Sequence, residues 1–216
     1  MTTIGLKMNS ILNYLDELFP DAKCELNYEK DYELLIAVML SAQTTDKRVN
    51  QVTSVLFSKY PTLEDFCKAN IKDIQKIIYP LGTYTRKSEN IMDITTSLLD
   101  HGGVVPNDRG YLESLSGVGR KTTNVVLSML YQEPCIAVDT HVSRVSKRLG
   151  LAKKNDDVLK IEKKLTKLIP NDRINKAHHQ LVLFGRYYCM ARNPKCENCK
   201  LKTFCSDSKK TSKWGF

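Results

Sequence analysis

Apolar residues recur along this chain at the spacing of one-faced helices. Val49, Val52, Leu56 and Phe57 fall at i, i+3, i+7 and i+8 behind the polar start Thr44-Thr45-Asp46, which reads as a helix N-terminus. Ile71, Ile74 and Ile78 repeat the pattern. So do Ile91, Ile94 and Leu98, whose helix is expected to stop at Gly102-Gly103, where glycine takes the left-handed terminal conformation. Val142, Val145 and Leu149 predict a helix ended by Gly150, and Val158, Ile161, Leu165 and Leu168 predict one ended by Pro170. Residues 34–40 are apolar all round; behind Asp31 and between helices, they read as a buried central helix rather than a strand. No hairpin signal, period-2 segment, low-complexity linker or repeat stands out. The pattern predicts an all-α chain of about ten helices.

Composition narrows the class. The 216 residues are 42% hydrophobic and 26% charged, enough for one large or two small cored domains, and unlike a disordered chain or a disulfide-stapled miniprotein. The seven-residue run at 34–40 is the longest unbroken apolar stretch, against the ~20 residues a membrane-spanning helix needs. The start MTTIGLKMNS, followed by Asp16-Glu17, lacks the layout of a signal peptide. A cytoplasmic location is therefore expected, where the seven cysteines would serve as metal ligands or free thiols rather than disulfides. The net charge of +9 is unevenly spread: residues 1–143 hold 14 Lys and Arg against 18 Asp and Glu, residues 144–216 hold 19 against 6. That split suits a face meeting a polyanion, although a solvated lysine-rich surface would look the same, and charge alone does not choose between nucleic acid, an anionic membrane and an acidic protein.

Three constellations carry candidate chemistry. Cys189, Cys196, Cys199 and Cys205 put four thiols within seventeen residues. Structural zinc sites usually pair two C-x2-C knuckles, and only one is present; the unequal gaps suit an iron–sulfur cube, with zinc and free thiols as the alternatives. Cys24, Cys67 and Cys135 are scattered and read as inert buried thiols. The second constellation is LSGVGRKT at 115–122, which resembles a helix–hairpin–helix element. Gly117 and Gly119 let the chain turn tightly and present bare N–H groups at a helix start, where a phosphate is attracted; Arg120 and Lys121 follow at once. A plain helical turn is the bland reading. The third is IAVDTHV at 136–142, which delivers Asp139 to a helix start, where a simple N-cap is the bland reading and is compatible with a functional one.

Taken in order, LLIAVMLSAQTTD (34–46), LSGVGRKTTNVV (115–126), IAVDTHVSRV (136–145) and the four-cysteine pattern (189–205) resemble the endonuclease III family across roughly residues 25–205. That resemblance implies two helical domains with a DNA-binding cleft between them: a six-helix bundle over 24–134, and an iron–sulfur domain of 1–23 with 135–216 carrying one [4Fe-4S] cluster. It implies a monomeric base-excision-repair enzyme acting on double-stranded DNA with a damaged base or abasic site, removing oxidised pyrimidines and cleaving the strand by β-elimination. The nearest alternatives are an adenine-mismatch glycosylase, whose branch lacks a lysine at the place of Lys121, and a non-catalytic iron–sulfur DNA-binding protein.

By the same resemblance Lys121 matches the catalytic nucleophile and Asp139 the catalytic carboxylate. A free lysine amine is neutral only about once in a few thousand at pH 7, and the positive end of a helix dipole disfavours an ammonium. Gln43 matches the wedge that fills the gap left by an extruded nucleotide. Leu81 is expected to wedge from the opposite side, although Pro80 precedes it and Thr83 stands where the family usually has an apolar residue. Arg192 and Lys195, within the first cysteine interval, and His141 and Arg144, at the Asp139 helix, are expected to touch phosphate.

Overall fold

The computed structural model describes residues 3–207; residues 1–2 and 208–216, the outer ends of the expected cluster domain, lie outside the described residues. The chain divides into two compact units, one of Glu25–Tyr131 and one that joins the beginning of the chain, up to Cys24, with everything from Gln132 on. Among the described residues regular structure is all helical: α1 (Thr3–Leu18), α2 (Asp31–Leu40), α3 (Asp46–Lys59), α4 (Leu63–Cys67), α5 (Ile71–Ile78), α6 (Tyr84–Asp100), α7 (Arg109–Ser114), α8 (Arg120–Tyr131), α9 (Thr140–Arg148), α10 (Val158–Leu168) and α11 (Asn171–Leu183), with a π-helical turn at Phe184–Tyr188.

The 25–131 unit is built around α2. Every residue from Leu34 to Leu40 is buried, because α3, α6 and α8 pack around it, which is why the helix has no polar face. Asp31 at its start accepts the Val105 N–H at 2.7 Å and ties a loop to the central helix. Helix α6 turns Ile91, Ile94 and Leu98 inward and packs on α4 and α5. The short α4 is set by a capping box, Thr62 accepting the Asp65 N–H at 3.2 Å while Asp65 accepts the Thr62 N–H at 3.1 Å.

In the other unit, Met8, Ile11 and Leu15 of α1 join Val142 and Val145 of α9, and Leu149 just past its end, in one core with the inner faces of α10 and α11. Asp16 fixes α1 against α11, accepting from Arg173 at 2.6 Å and Gln180 at 2.9 Å and pairing with Lys176 at 3.1 Å. Burial pushes its carboxyl up, but the bonds from Gln180 and Lys176 outweigh that and hold it below the ordinary value. Val158 departs from its expected inward place and is 54% exposed. It is the first residue of α10, and helical side chains lean toward the N-terminus, so it overhangs the end of the helix instead of joining Ile161 and Leu165 in the core.

Candidate functional site

The hairpin forms because two apolar residues anchor it. Leu115 and Val118 are buried, and Val118 N–H bonds back to Leu115 O at 3.1 Å across the turn. Gly117 sits at φ 77°, and a Cβ there would meet Asn90 Nδ2 at 2.2 Å, so both backbone and space demand glycine. Gly119 has no such constraint: its φ is ordinary and nothing lies within 4 Å of a built Cβ. The open ground in front of Gly119 adjoins the first turn of α8, where N–H groups lack intrahelical acceptors. Arg120 opens that helix and Lys121 follows, both exposed.

Asp139 caps α9. Behind the buried Ile136, Ala137 and Val138, its Oδ1 accepts the Val142 N–H at 2.7 Å. His141 lies in the first turn, and Gly185 of the π turn packs so closely that a Cβ on it would meet His141 Cβ at 2.7 Å. Arg144 turns inward: it donates to Gly185 O at 2.5 Å, Cys189 O at 3.2 Å and Thr140 O at 3.4 Å. Burial, with Arg148 beside it, pushes its pKa down. Its hydrogen bonds thus hold α9 to the π turn and the first cysteine.

The π turn delivers Cys189, whose N–H bonds Phe184 O at 2.6 Å. Cys189, Cys196, Cys199 and Cys205 then line one pocket, walled elsewhere by Leu149, Phe184 and Tyr188. None of the four is in a disulfide, and all are half-buried. Burial, then the charge of the neighbouring cysteines, raises the Cys196 thiol; Cys199 is raised by the same two causes against a bond from the backbone at Leu201. Four cysteine thiols around one largely apolar pocket are the ligand set that a [4Fe-4S] cluster takes. The donor set therefore fits a cluster. Arg148, which belongs to none of the sequence motifs, braces the first cysteine: it donates to Cys189 Sγ at 3.4 Å, to Met190 O at 2.7 Å and to Asp207 at 3.0 Å. These bonds, and Lys195 N–H to Tyr188 O at 3.0 Å, fasten both ends of the loop on which Arg192 and Lys195 stand exposed.

Gln43 is exposed and held at φ 59°, a left-handed conformation uncommon outside glycine. Leu81 must be corrected as a wedge. It is only 4% exposed, its side chain in the core of the 25–131 unit, and so is not presented to a duplex. The exposed members of its loop are Tyr79 and Thr83. Lys87 was also missed; it lies four residues before Ile91 on the inward face of α6, a signal the helical period carried.

These elements define a helix–hairpin–helix DNA repair protein with an iron–sulfur module. Residues 36–171 match the HhH-GPD superfamily of base excision DNA repair proteins, and residues 189–205 match the iron–sulfur binding domain of endonuclease III. The chain is 45% identical over 205 residues to endonuclease III of Bacillus subtilis (strain 168), covering 94% of each. A solved non-covalent endonuclease III–DNA complex superposes with a TM-score of 0.93 at 45% identity, covering 99% of this chain and 100% of that one. A trapped endonuclease III–DNA covalent intermediate gives 0.92 at 45% identity, covering 98% and 100%. The chain belongs to the endonuclease III family. It is a DNA glycosylase and AP lyase of base excision repair with a [4Fe-4S] cluster, and damaged DNA is its partner. Among the described residues no helix is long and apolar enough to cross a membrane.

Proposed function

We propose that this enzyme removes oxidised pyrimidines from duplex DNA as a cytoplasmic monomer, with Lys121 as nucleophile and Asp139 as its carboxylate. The observation that carries the reading is the pairing of an exposed amine with empty ground: Lys121 stands in the first turn of α8, next to a glycine with nothing within 4 Å of a built Cβ. A phosphate can approach the bare amides there, and the amine then lies beside the sugar that phosphate carries.

Lys121 Nζ attacks C1′, the N-glycosidic bond breaks, and the base leaves with a proton. Lys121 Nζ is then bonded to C1′ of a closed sugar; the C1′–O4′ bond opens, O4′ takes up a proton, and the C1′=N Schiff base forms. That Schiff base acidifies C2′; loss of the C2′ proton expels the 3′ phosphate and cuts the strand. Asp139 spends one oxygen on the α9 cap and has the other to receive a proton or face the cationic sugar. Gln43 fills the space of the extruded nucleotide. Gly117, Gly119, Arg120, His141, Arg192 and Lys195 serve the DNA backbone, while Arg144 acts behind them through its bonds to α9 and Cys189. The unit holding the four cysteines is the iron–sulfur domain and the 25–131 unit the hairpin domain. The cluster would be held by the four cysteines as a stiff scaffold for the 190–195 loop. Seven cysteines with no disulfide among them fit a reducing compartment.

Incubation with duplex carrying one oxidised pyrimidine, with borohydride, should give a covalent protein–DNA adduct and, without it, a cut strand. A duplex left whole and untrapped would overturn the reading.

A further inference from the structure

Lys87 shares the inward face of α6 with Ile91, Ile94 and Leu98, and only 5% of it is exposed. Its ammonium donates to two backbone carbonyls, Ala42 O and Leu81 O, each at 3.0 Å. Burial alone sets the direction of its pKa, which lies below the ordinary lysine value. It also stands in the first turn of a helix, where the dipole disfavours a cation. An unbranched apolar side chain of similar length would fill the site without desolvating a charge. Stability therefore gives a poor account of Lys87. What the ammonium does, and methionine does not, is tie two carbonyls together.

Those carbonyls belong to two separate loops, and each loop enters the left-handed region immediately after the bonded residue. Ala42 precedes Gln43 at φ 59°; Leu81 precedes Gly82 and Thr83 at φ 67° and 45°. Gln43 and Thr83 are exposed, non-glycine residues in a conformation that persists only where the surroundings impose it. The Lys87 N–H also bonds Thr83 O at 3.0 Å, so one residue grips both loops at three points.

We propose that Lys87 is a positioning residue for base extrusion: by joining the Ala42 and Leu81 carbonyls it holds Gln43 and Thr83 in register, so that both loops enter the duplex together where the nucleotide leaves the stack. This rests on the reading of Gln43 as the inserted residue. Lys87 touches no reacting atom in this role. Its effect is confined to DNA that must be opened, since a single strand has no paired stack to wedge apart.

The test compares an abasic site in duplex with the same site in a single-stranded oligonucleotide, using the intact chain with its cluster. Lys87→Met should lower kcat/KM on the duplex about tenfold or more, the scale of loss that small misplacements produce. Cleavage of the single strand and Tm should stay near wild type. A 2-aminopurine opposite the abasic site should lose the fluorescence rise that reports its unstacking. Lys87→Arg, still a buried cation able to reach both carbonyls, should restore most of the loss. Gln43→Ala should share the duplex-specific defect, and the double variant should be little worse than the weaker single one, because both act through one loop. Equal losses on both substrates, or a Lys87→Met chain that no longer folds, make the residue structural and overturn the proposal. So does Lys87→Met with duplex activity intact beside an impaired Gln43→Ala. A silent Gln43→Ala overturns the insertion reading instead; a duplex defect of Lys87→Met beside it would put its action on the 79–83 loop alone, against the two-loop tie.

Discussion

Lys121 and Asp139 differ in what else they do, and that difference makes them separable by substitution. Lys121 is exposed, so Lys121→Gln should abolish strand cleavage and borohydride trapping while Tm and affinity for damaged duplex stay close to wild type. An adduct that persists would assign the nucleophile to another amine. Asp139 also caps α9, and asparagine caps as well as aspartate. Asp139→Asn should therefore hold Tm while turnover falls by about two orders of magnitude or more, the usual scale for removing a general acid–base group; unchanged turnover would leave it a cap only. Both residues were legible in the sequence because each stands at a fixed offset from a motif. Arg144, Arg148 and Lys87 were not legible in their roles. Each acts on backbone carbonyls brought near by folding, and a carbonyl leaves no trace in residue type.

Among the elements, the hairpin offers a contrast between two glycines two residues apart: one is required by the protein's own packing, the other faces open ground. Gly117→Ala forces a Cβ to within 2.2 Å of Asn90 Nδ2 at a positive φ and should cost about 1–3 kcal/mol, read as a lower Tm. Gly119→Ala meets nothing within 4 Å, so Tm should hold while Kd for duplex rises about tenfold, the added methyl standing where a phosphate approaches. An unchanged Kd would free Gly119 from that part. The longer helices were legible from their period: α5 carries Ile71, Ile74 and Ile78, and α6 ends at Asp100, just ahead of the expected stop at Gly102-Gly103. Helices α4 and α7 were not, being too short for any period and held by their caps Thr62 and Asp108. Leu81 was misread because a wedge is defined by which way a loop turns, and that depends on Gly82 and Thr83 taking left-handed conformations.

At the scale of the whole molecule, affinity for DNA should fall steeply with salt, log Kd changing by roughly 0.9 per phosphate neutralised for each decade of salt. Replacing Arg192 and Lys195 together by alanine should flatten the slope by about two; an unaltered slope would take them off the DNA. The purified protein should be yellow-brown with about four irons and four sulfides per chain. Cys199→Ser should bleach it and weaken DNA binding, since the 190–195 loop depends on that pocket. One zinc and no sulfide would refute the cluster's place in these four thiols. The basic excess after residue 143 was readable by counting, and it belongs to the unit that carries the cysteines. That unit is drawn from both ends of the chain, which sets an order on its synthesis. Helix α1 is made first, yet the residues that cover Met8, Ile11 and Leu15 come from α9 onward. At ~5–20 residues per second the ribosome leaves that apolar stripe waiting for roughly 6–25 s while the intervening unit folds. The first helix made is among the last to be buried, so changes that make α1 stickier should appear as lost yield in the growing cell before they appear as lost stability in the finished protein.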